Sequence, residues 1–296
     1  MASNQRCAAI AGVVALVCCT ATALTQAAPA ATKSVTIRGQ ALEIAVLPAQ
    51  STPLGQDVLF LPGVGGWRGW AITIAETMAS WGYDVYGVDT KQYLDTFTAA
   101  GGLTVADVTN DLRALADATT GKSGRRVSLV GWSEGAGLAV LGAAGERGKT
   151  AFAGLITFGL TDENVIAWHR SENLTSLLKK PHEPTFTATT HMKDVAPLPL
   201  MMIQSSQDQY VGPDEAKRLF DAARDPKRFE LVRGDNHRFD GNHDGQTLIL
   251  CTTYEMDVTN GGKTRTHRGI GAEVFVHADS SFTSMAKTRA GASPPS

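Results

Sequence analysis

Apolar residues change their spacing repeatedly along the chain, from short apolar runs to longer segments of helical periodicity. The runs at 58–61 and 127–130 are nearly continuous, which is typical of parallel strands buried on both faces. The spacing predicts helices at 70–81, 105–118, 134–144 and 213–223, and strands at 35–38, 42–47, 57–61, 84–89, 127–130, 155–158, 200–204 and 229–232. Because helices alternate with strands, we expect an α/β fold with a mostly parallel sheet, an opening hairpin and helices on both faces.

The two ends of the chain differ from this rhythm. In residues 1–30, Arg6 precedes an apolar run at 8–17, and small residues follow, which is typical of a secretory signal peptide. The apolar core is shorter than the roughly twenty residues that span a bilayer. Residues 261–296 begin with Gly261-Gly262 and end in Ser and Pro, so we expect a partly disordered tail after a domain at 31–260.

Removal of the signal peptide would leave Cys251 as the one cysteine of the mature chain, so no intrachain disulfide is expected. The mature protein is expected to be periplasmic or secreted.

Charge and composition exclude several classes of function. The chain carries 27 Lys and Arg against 29 Asp and Glu, a net charge of −2, which argues against general nucleic-acid binding. Hydrophobic residues make up 43% and charged residues 19%, as in globular proteins with a sizeable core. Two motifs that resemble a nucleotide-binding loop are also incomplete. The run Gly148-Lys149-Thr150 resembles the end of a phosphate-binding loop, but Ala143 stands where the first glycine is needed. Gly121-Lys122-Ser123 fails in the same way, with Ala116 at that position.

The segment Gly131-Trp132-Ser133-Glu134-Gly135 joins the predicted strand at 127–130 to a predicted helix. It has the Gly-x-Ser-x-Gly pattern of a nucleophile elbow, in which the serine lies in a strained turn between strand and helix. Glycines two residues before and after the serine avoid side-chain collisions across that turn. We therefore predict that Ser133 is a nucleophile.

A serine nucleophile needs a base and an acid that orients the base. Asp208 and His237 each follow a predicted strand and lie on a loop, at the sheet edge where catalytic groups gather. In this hypothesis Ser133 attacks, His237 carries the proton, and Asp208 holds the imidazole and stabilises its cation. Asp214 is an alternative acid, although its place after Pro213 also fits the first turn of a helix.

The oxyanion of such a reaction needs backbone donors. The N–H of Glu134, at the start of the helix, is one candidate. The second is the N–H of Val64 or Gly65, in the glycine-rich loop that follows the strand at 57–61. The same loop fails the dinucleotide-binding pattern because Arg68 occupies the third glycine position.

Together, the loop at 63–67, the elbow around Ser133, and the pair Asp208 and His237 resemble the α/β-hydrolase superfamily over about 35–244. Within that superfamily, the stretches 61–67, 87–94 and 104–108 are similar to the bacterial VirJ-like proteins, which are exported hydrolases associated with aminoacylated phospholipid turnover.

Two residues depart from the VirJ-like pattern: Val64, where that group often has an acidic residue, and Glu134, which is unusual beside the serine. The resemblance implies an exported hydrolase that needs no cofactor and has an ester as its substrate.

The segment 161–199 is rich in Thr, His, Lys and Pro and separates two predicted strands. In this topology it would cross the carboxyl end of the sheet as a lid over Ser133. Its apolar and basic residues suit an acyl group beside an anionic head group, and a solvated surface loop is the alternative. The candidate substrate-binding residues are Trp67, Trp132, Trp168, Lys179 and Lys180.

Each of these assignments has a structural alternative. The loop at Gly63 could be a tight turn only, and Asp208 could cap a helix. His237 could join Asp240, His243 and Asp244 in a metal site, although no known ligand spacing supports it, so we predict no metal.

We therefore expect an exported serine esterase whose substrate is a small-molecule or lipid ester. With a lipid ester as its substrate, the protein would make transient contact with a membrane surface. A catalytically silent binding or secretion-accessory protein on the same scaffold is the alternative.

Overall fold

The computed structural model describes residues 31–99, 101–120, 126–167, 184–240, 247–260 and 263–276 of the 296-residue chain. Its main sheet has eight strands in the order β1-β2-β4-β3-β5-β6-β9-β10. These strands are β1 (Ala31–Ile37), β2 (Gln40–Leu47), β3 (Asp57–Leu61), β4 (Asp84–Val88), β5 (Val127–Trp132), β6 (Phe152–Phe158), β9 (Leu200–Ser205) and β10 (Lys227–Val232). The pairs β1–β2 and β2–β4 are antiparallel and the other pairs are parallel, which confirms the expected sheet with its opening hairpin.

Helices connect the strands and cover the sheet. They are α1 (Trp70–Ser80), α2 (Thr90–Ala99), α3 (Val105–Thr120), α4 (Glu134–Ala143), α5 (Gly145–Ala151), α6 (Thr189–Met192) and α7 (Pro213–Ala222). The four predicted helices are confirmed, whereas α2, α5 and the short α6 were not predicted. The signal for α2 was present, because Tyr93, Leu94 and Phe97 have helical spacing and are buried. None of the described helices is long and apolar enough to cross a membrane.

The sheet separates two apolar clusters, as expected for a layer with helices on both faces. In β3, Leu59 and Leu61 belong to one cluster, while Val58 and Phe60 belong to the other. The first cluster includes buried residues of α3 and α4, and the second includes Ala71 and Ala75 of α1. Burial on both faces explains why positions 58–61 of β3 are all apolar.

The register of the central strands brings their carboxyl ends together. Leu61 of β3 pairs with Gly131 of β5, and Trp132 of β5 pairs with Phe158 of β6. The loops that follow β3, β5, β6, β9 and β10 therefore leave the sheet at one edge. The predicted catalytic residues Ser133, Asp208 and His237 lie in these loops.

The lid insertion at 161–199 is described at its two ends. β7 (Glu163–Val165) and β8 (Thr185–Thr187) pair antiparallel there, and Ala188 donates a backbone hydrogen bond of 2.7 Å to the carbonyl of Asp162. This short hairpin was not predicted. Residues 168–183, which hold the middle of the expected lid, lie outside the described residues, as does the expected signal peptide at 1–30.

Part of the segment from 261, where we expect a partly disordered tail, is a strand in the structure, and the partial disorder stays a prediction. β11 (Thr247–Asn260) and β12 (Lys263–Val276) form an antiparallel pair in register from Thr247↔Val276 to Asn260↔Lys263. The two runs are rich in Thr, Val and Ile and enclose Gly261-Gly262, which is a hairpin signal that we had interpreted as a tail. Residues 277–296 lie outside the described residues.

Candidate active site

Ser133 lies in a strained turn between β5 and α4. Its backbone angles, φ 56° and ψ −126°, fall in a region that side-chain-bearing residues rarely adopt. A Cβ atom on Gly131 would lie 2.5 Å from the Cα of Ala136, and one on Gly135 would overlap the carbonyl oxygens of Leu61 and Pro62. Both glycines are therefore required by the tightness of the turn, as the motif predicted.

Asp208 and His237 are in direct contact at the carboxyl ends of β9 and β10. Oδ2 of Asp208 lies 2.6 Å from Nδ1 of His237, and both side chains are buried. The amide of Gln204 donates a 2.8 Å hydrogen bond to the same oxygen. The other oxygen, Oδ1, accepts hydrogen bonds from the backbone N–H groups of Tyr210 (2.8 Å) and Val211 (3.1 Å).

This set of donors controls the charge of Asp208. Burial by itself raises the pKa of the carboxyl group. The hydrogen bonds from His237, Tyr210 and Val211 together lower it by more than burial raises it, so the pKa lies below its usual value. Asp208 is thus an ionised acceptor suited to hold an imidazole. Asp214, the alternative acid, is exposed in the first turn of α7, so the structure brings Asp208 rather than Asp214 to His237.

Three further residues fix the position of His237. Gln209 accepts a 2.9 Å hydrogen bond from the backbone N–H of His237, and Trp132 donates a 3.4 Å bond from Nε1 to its carbonyl. A Cβ atom on Gly159 would lie 2.6 Å from Cε1 of the imidazole. The buried Nε2 atom has no hydrogen-bond partner among the described residues.

Ser133 and His237 follow strands β5 and β10 at the same edge of the sheet, and the residues around them are in contact. The residue before Ser133, Trp132, touches His237, and the N–H of Ser133 donates a 2.9 Å bond to the carbonyl of Phe158. Phe158 is followed by Gly159, which touches the imidazole from the other side. A serine beside a histidine that is held by a buried carboxylate can perform nucleophilic acyl transfer.

The glycine-rich loop after β3 also reaches Ser133. A Cβ atom on Gly63 would lie 3.1 Å from Cβ of Ser133 and 3.5 Å from its Oγ. The N–H of Gly66 donates a 3.0 Å bond to the carbonyl of Gly63, which closes a tight turn around Val64 and Gly65. This turn stands beside the elbow, and the oxyanion role of Val64, Gly65 and Glu134 stays a prediction.

The two described tryptophans among the predicted substrate contacts have packing roles. A Cβ atom on Gly87 of β4 would overlap the ring of Trp67, and this ring also meets Phe60 edge-on at 6.1 Å. The ring of Trp132 lies 4.4 Å from that of Trp70 and 6.0 Å from His237. Trp67 thus packs on the face of the sheet, and Trp132 packs beside His237. Trp168, Lys179 and Lys180 lie outside the described residues.

Glu134 forms a contact that the sequence did not predict. Its carboxyl oxygen Oε1 accepts a hydrogen bond from the backbone N–H of Val165, so it joins the start of α4 to β7 in the segment 161–199. Burial of the carboxyl group raises the pKa of Glu134 to about 8, against a partial opposing effect of the Val165 bond. Gly137 packs against the same strand, because a Cβ atom there would overlap the side chain of Asn164.

Sequence analysis also missed Gly159, Gln204, Gln209 and Tyr210. The proximity of Gln209 and Tyr210 to Asp208 in the chain was a usable signal, whereas Gly159 gave none.

The described residues contain no group of three or more His, Cys, Asp or Glu side chains that could hold a metal ion. Asp240 accepts a 2.9 Å hydrogen bond from the amide of Asn236. His243 and Asp244, the other members of the alternative metal site, lie outside the described residues.

Comparisons with known proteins agree with this architecture. The chain has a TM-score of 0.52 and 18% identity to a dienelactone hydrolase from Anabaena variabilis, over 72% of this chain and 89% of that one. For Est1E from Butyrivibrio proteoclasticus, the TM-score is 0.52 and the identity 12%, over 71% and 92%. For the esterase domain of a Rhodothermus marinus protein, they are 0.50 and 21%, over 71% and 91%.

No curated protein matches the chain. The model of the VirJ family, described as a bacterial virulence protein, matches residues 56–149. The resemblance inferred from the sequence is thereby confirmed: the chain has the α/β-hydrolase fold, and its part from β3 to α5 is similar to the VirJ family.

Proposed function

We propose that the protein is a serine hydrolase that cleaves carboxylic esters through an acyl-enzyme on Ser133. One observation carries this proposal: the buried Asp208–His237 contact of 2.6 Å lies at the same edge of the sheet as a serine in a strained strand-to-helix turn. A packing role needs neither the strain at Ser133 nor a buried imidazole with an unbonded Nε2. Structural neighbours whose names include esterase and hydrolase support the same reaction class.

The proposed reaction has two steps. Oγ of Ser133 attacks the ester carbonyl while Nε2 of His237 takes its proton, and the imidazolium is stabilised by ionised Asp208. His237 then gives the proton to the leaving alkoxide as the ester C–O bond breaks. In the second step a water molecule attacks the acyl-enzyme, its proton passes through Nε2 to Oγ, and the carboxylic acid is released.

The oxyanion of both steps would be held by backbone N–H groups. As the first residue of α4, Glu134 has an N–H without an acceptor inside the helix. The turn at 63–66 is the second source, through Val64 or Gly65.

For the substrate, we propose an amphipathic lipid ester, with an aminoacylated anionic phospholipid as the first candidate. The similarity of residues 56–149 to the VirJ family supports this choice, together with the apolar and basic composition of the lid insertion. In this proposal Trp168, Lys179 and Lys180 contact the lipid. A solvated loop at 161–199 is the competing hypothesis.

A covalent serine probe and an ester panel test these proposals. Ser133→Ala and His237→Ala should each abolish labelling by a fluorophosphonate and lower kcat by about 10⁴- to 10⁶-fold, with the double variant hardly worse. Activity that persists in Ser133→Ala would refute the proposal. A lipid aminoacyl ester should have a higher kcat/KM than a short soluble ester, and Lys179→Ala/Lys180→Ala should reduce that preference.

A folded wild type that is neither labelled nor active would favour the alternative, a silent binding or secretion-accessory protein on this scaffold.

We further propose that the protein is exported and is periplasmic or secreted. The leader at 1–30 supports export, and so does the similarity to a bacterial virulence protein family. Sequencing of the mature N-terminus should give a start between Leu24 and Ala31. An intact Met1 in the exported protein would exclude this processing.

A further inference from the structure

Tyr210 is an aromatic residue that is exposed to solvent close to the buried pair of Asp208 and His237. Its side chain is 68% exposed, while Asp208, two residues earlier, and Val211, the next residue, are buried. Among the described residues, the other large exposed hydrophobic side chains are Leu54, before β3, and Leu231, on the edge strand β10. Neither of these contacts a residue of the proposed reaction, so Tyr210 is the exposed apolar side chain that needs a functional explanation.

The ring of Tyr210 is held beside the imidazole of His237. The two ring centroids are 5.1 Å apart, with an interplanar angle of 82°. The backbone N–H of Tyr210 is bound to Asp208, and the adjacent Gln209 binds the backbone N–H of His237. These bonds fix the loop at 208–211 to the histidine, and they hold the backbone from which the ring extends.

The place of the ring relates it to one part of the substrate. In the proposed reaction, His237 gives its proton to the oxygen of the leaving alcohol, which must come within hydrogen-bonding distance of Nε2. The carbon atoms attached to that oxygen then lie close to the imidazole, and of the two described aromatic rings beside this imidazole, Trp132 and Tyr210, Tyr210 is the exposed one. The acyl carbon, by contrast, stays on Ser133.

We propose that Tyr210 forms the leaving-group subsite and selects esters whose alcohol is bulky and has an apolar face. This inference rests on the proposed function. A rigid aromatic ring loses little conformational entropy when it binds and makes favourable contacts with aromatic or aliphatic surfaces. Benzyl alcohol offers such a surface, whereas methanol does not. Tyr210 is a specificity residue and takes no part in proton transfer.

Benzyl and methyl esters of the same carboxylic acid test the inference, because their alcohols differ in size far more than in acidity. The wild type should have the higher kcat/KM for the benzyl ester. Tyr210→Ala should lower kcat/KM for the benzyl ester by about three- to tenfold, as expected for the loss of one aromatic contact. The same variant should change kcat/KM for the methyl ester less than about twofold. Tyr210→Phe should behave as the wild type because the contact needs the ring alone.

Leu231→Ala is the matched control, since it also removes an exposed apolar side chain. It should leave both values unchanged. Labelling of Ser133 by a fluorophosphonate reports on the reaction centre in every variant. If turnover is too slow to measure, the concentration at which each ester slows labelling of Ser133 gives the preference for the benzyl over the methyl ester.

An unchanged benzyl-to-methyl ratio in Tyr210→Ala, with normal labelling, overturns the subsite and leaves the proposed function intact. An equal loss on both esters also overturns it, since the ring would then act only on the position of His237. A wild type that is not labelled and hydrolyses neither ester overturns the proposed function itself, and the subsite with it.

Discussion

The Cα–Cβ direction of Gly159 points at the imidazole of His237. A methyl group on Gly159 would lie 2.6 Å from Cε1 and 2.9 Å from Nδ1, the atom that meets Asp208. The imidazole of His237 therefore packs directly against the backbone of Gly159, with no room for a side chain between them. Its own φ of 53° adds a second reason for glycine.

Gly159→Ala should displace His237 and lower kcat by at least about tenfold, because a shift of about 1 Å in a reacting group is costly. Gly145→Ala is the control for backbone strain, since Gly145 also has a positive φ, 78°, but its Cβ would meet no atom within 4 Å. Both variants should lose a similar stability in urea denaturation, and Gly159→Ala alone should lose kcat. Equal activities of the two variants would contradict the proposed contact.

Asp208→Asn should lower kcat by about 10³- to 10⁴-fold, because a neutral amide cannot stabilise the imidazolium of His237. Asp214→Asn should change kcat less than about twofold, since Asp214 is exposed on α7. Steady-state kinetics on one soluble ester measure both. The reverse ranking would transfer the acid role to Asp214.

Gly135→Ala should destabilise the protein by about 2 kcal/mol or more, because its Cβ would overlap two backbone carbonyls of the loop after β3 that cannot move independently. Gly212→Ala should cost about 1 kcal/mol or less, as there a Cβ would have no neighbour within 4 Å. The measurement is the free energy of unfolding from urea titrations. A stable, active Gly135→Ala variant is the result that this packing does not allow.

Glu134 should make the protein less stable as the pH rises. Its pKa is about 8 in the folded chain and has a reference value of 4.5, so between these values the folded state holds a proton that the unfolded state has released. The free energy of unfolding therefore falls across this window. Glu134→Gln keeps an acceptor for Val165 and removes the titration, so its stability relative to the wild type should increase from about pH 5 to about pH 8.

Urea titrations of both proteins at several pH values measure this difference. Glu146→Gln is the control, because the side chain of Glu146 is 89% exposed, and it should follow the wild type. Parallel curves for Glu134→Gln and the wild type would show that Glu134 is not protonated in the folded state.

The sequence predicted the central strands and the elbow well because both depend on local patterns. A run such as 58–61 has few alternatives to a buried strand, and the glycines around Ser133 serve contacts within a few residues or with the adjoining loop. Asp208 and His237 could be paired because parallel strands bring their carboxyl ends to one edge.

Contacts between residues distant in the chain could not be predicted in this way. Trp67 packs on Gly87 because that strand position has no side chain, a contact that the sequence did not predict, and its role in substrate binding stays a prediction. In the same way, nothing around Gly159 indicated His237, which lies far along the chain. The pairing of β11 with β12 was not predicted for a different reason. A glycine pair fits the start of a tail as well as a hairpin turn, and the strand-forming residues on both sides favour the hairpin.

The position of the proposed base in the sheet affects how the protein would fail under stress. Ser133 follows a central strand, whereas His237 follows β10, which pairs with β9 alone at the end of the sheet. An outer strand separates from a sheet more easily than an inner one, because fewer hydrogen bonds hold it. Mild heat or denaturant should therefore inactivate the protein by detaching the edge strand β10 while the elbow and the core remain folded, and the activity should return when the stress is removed.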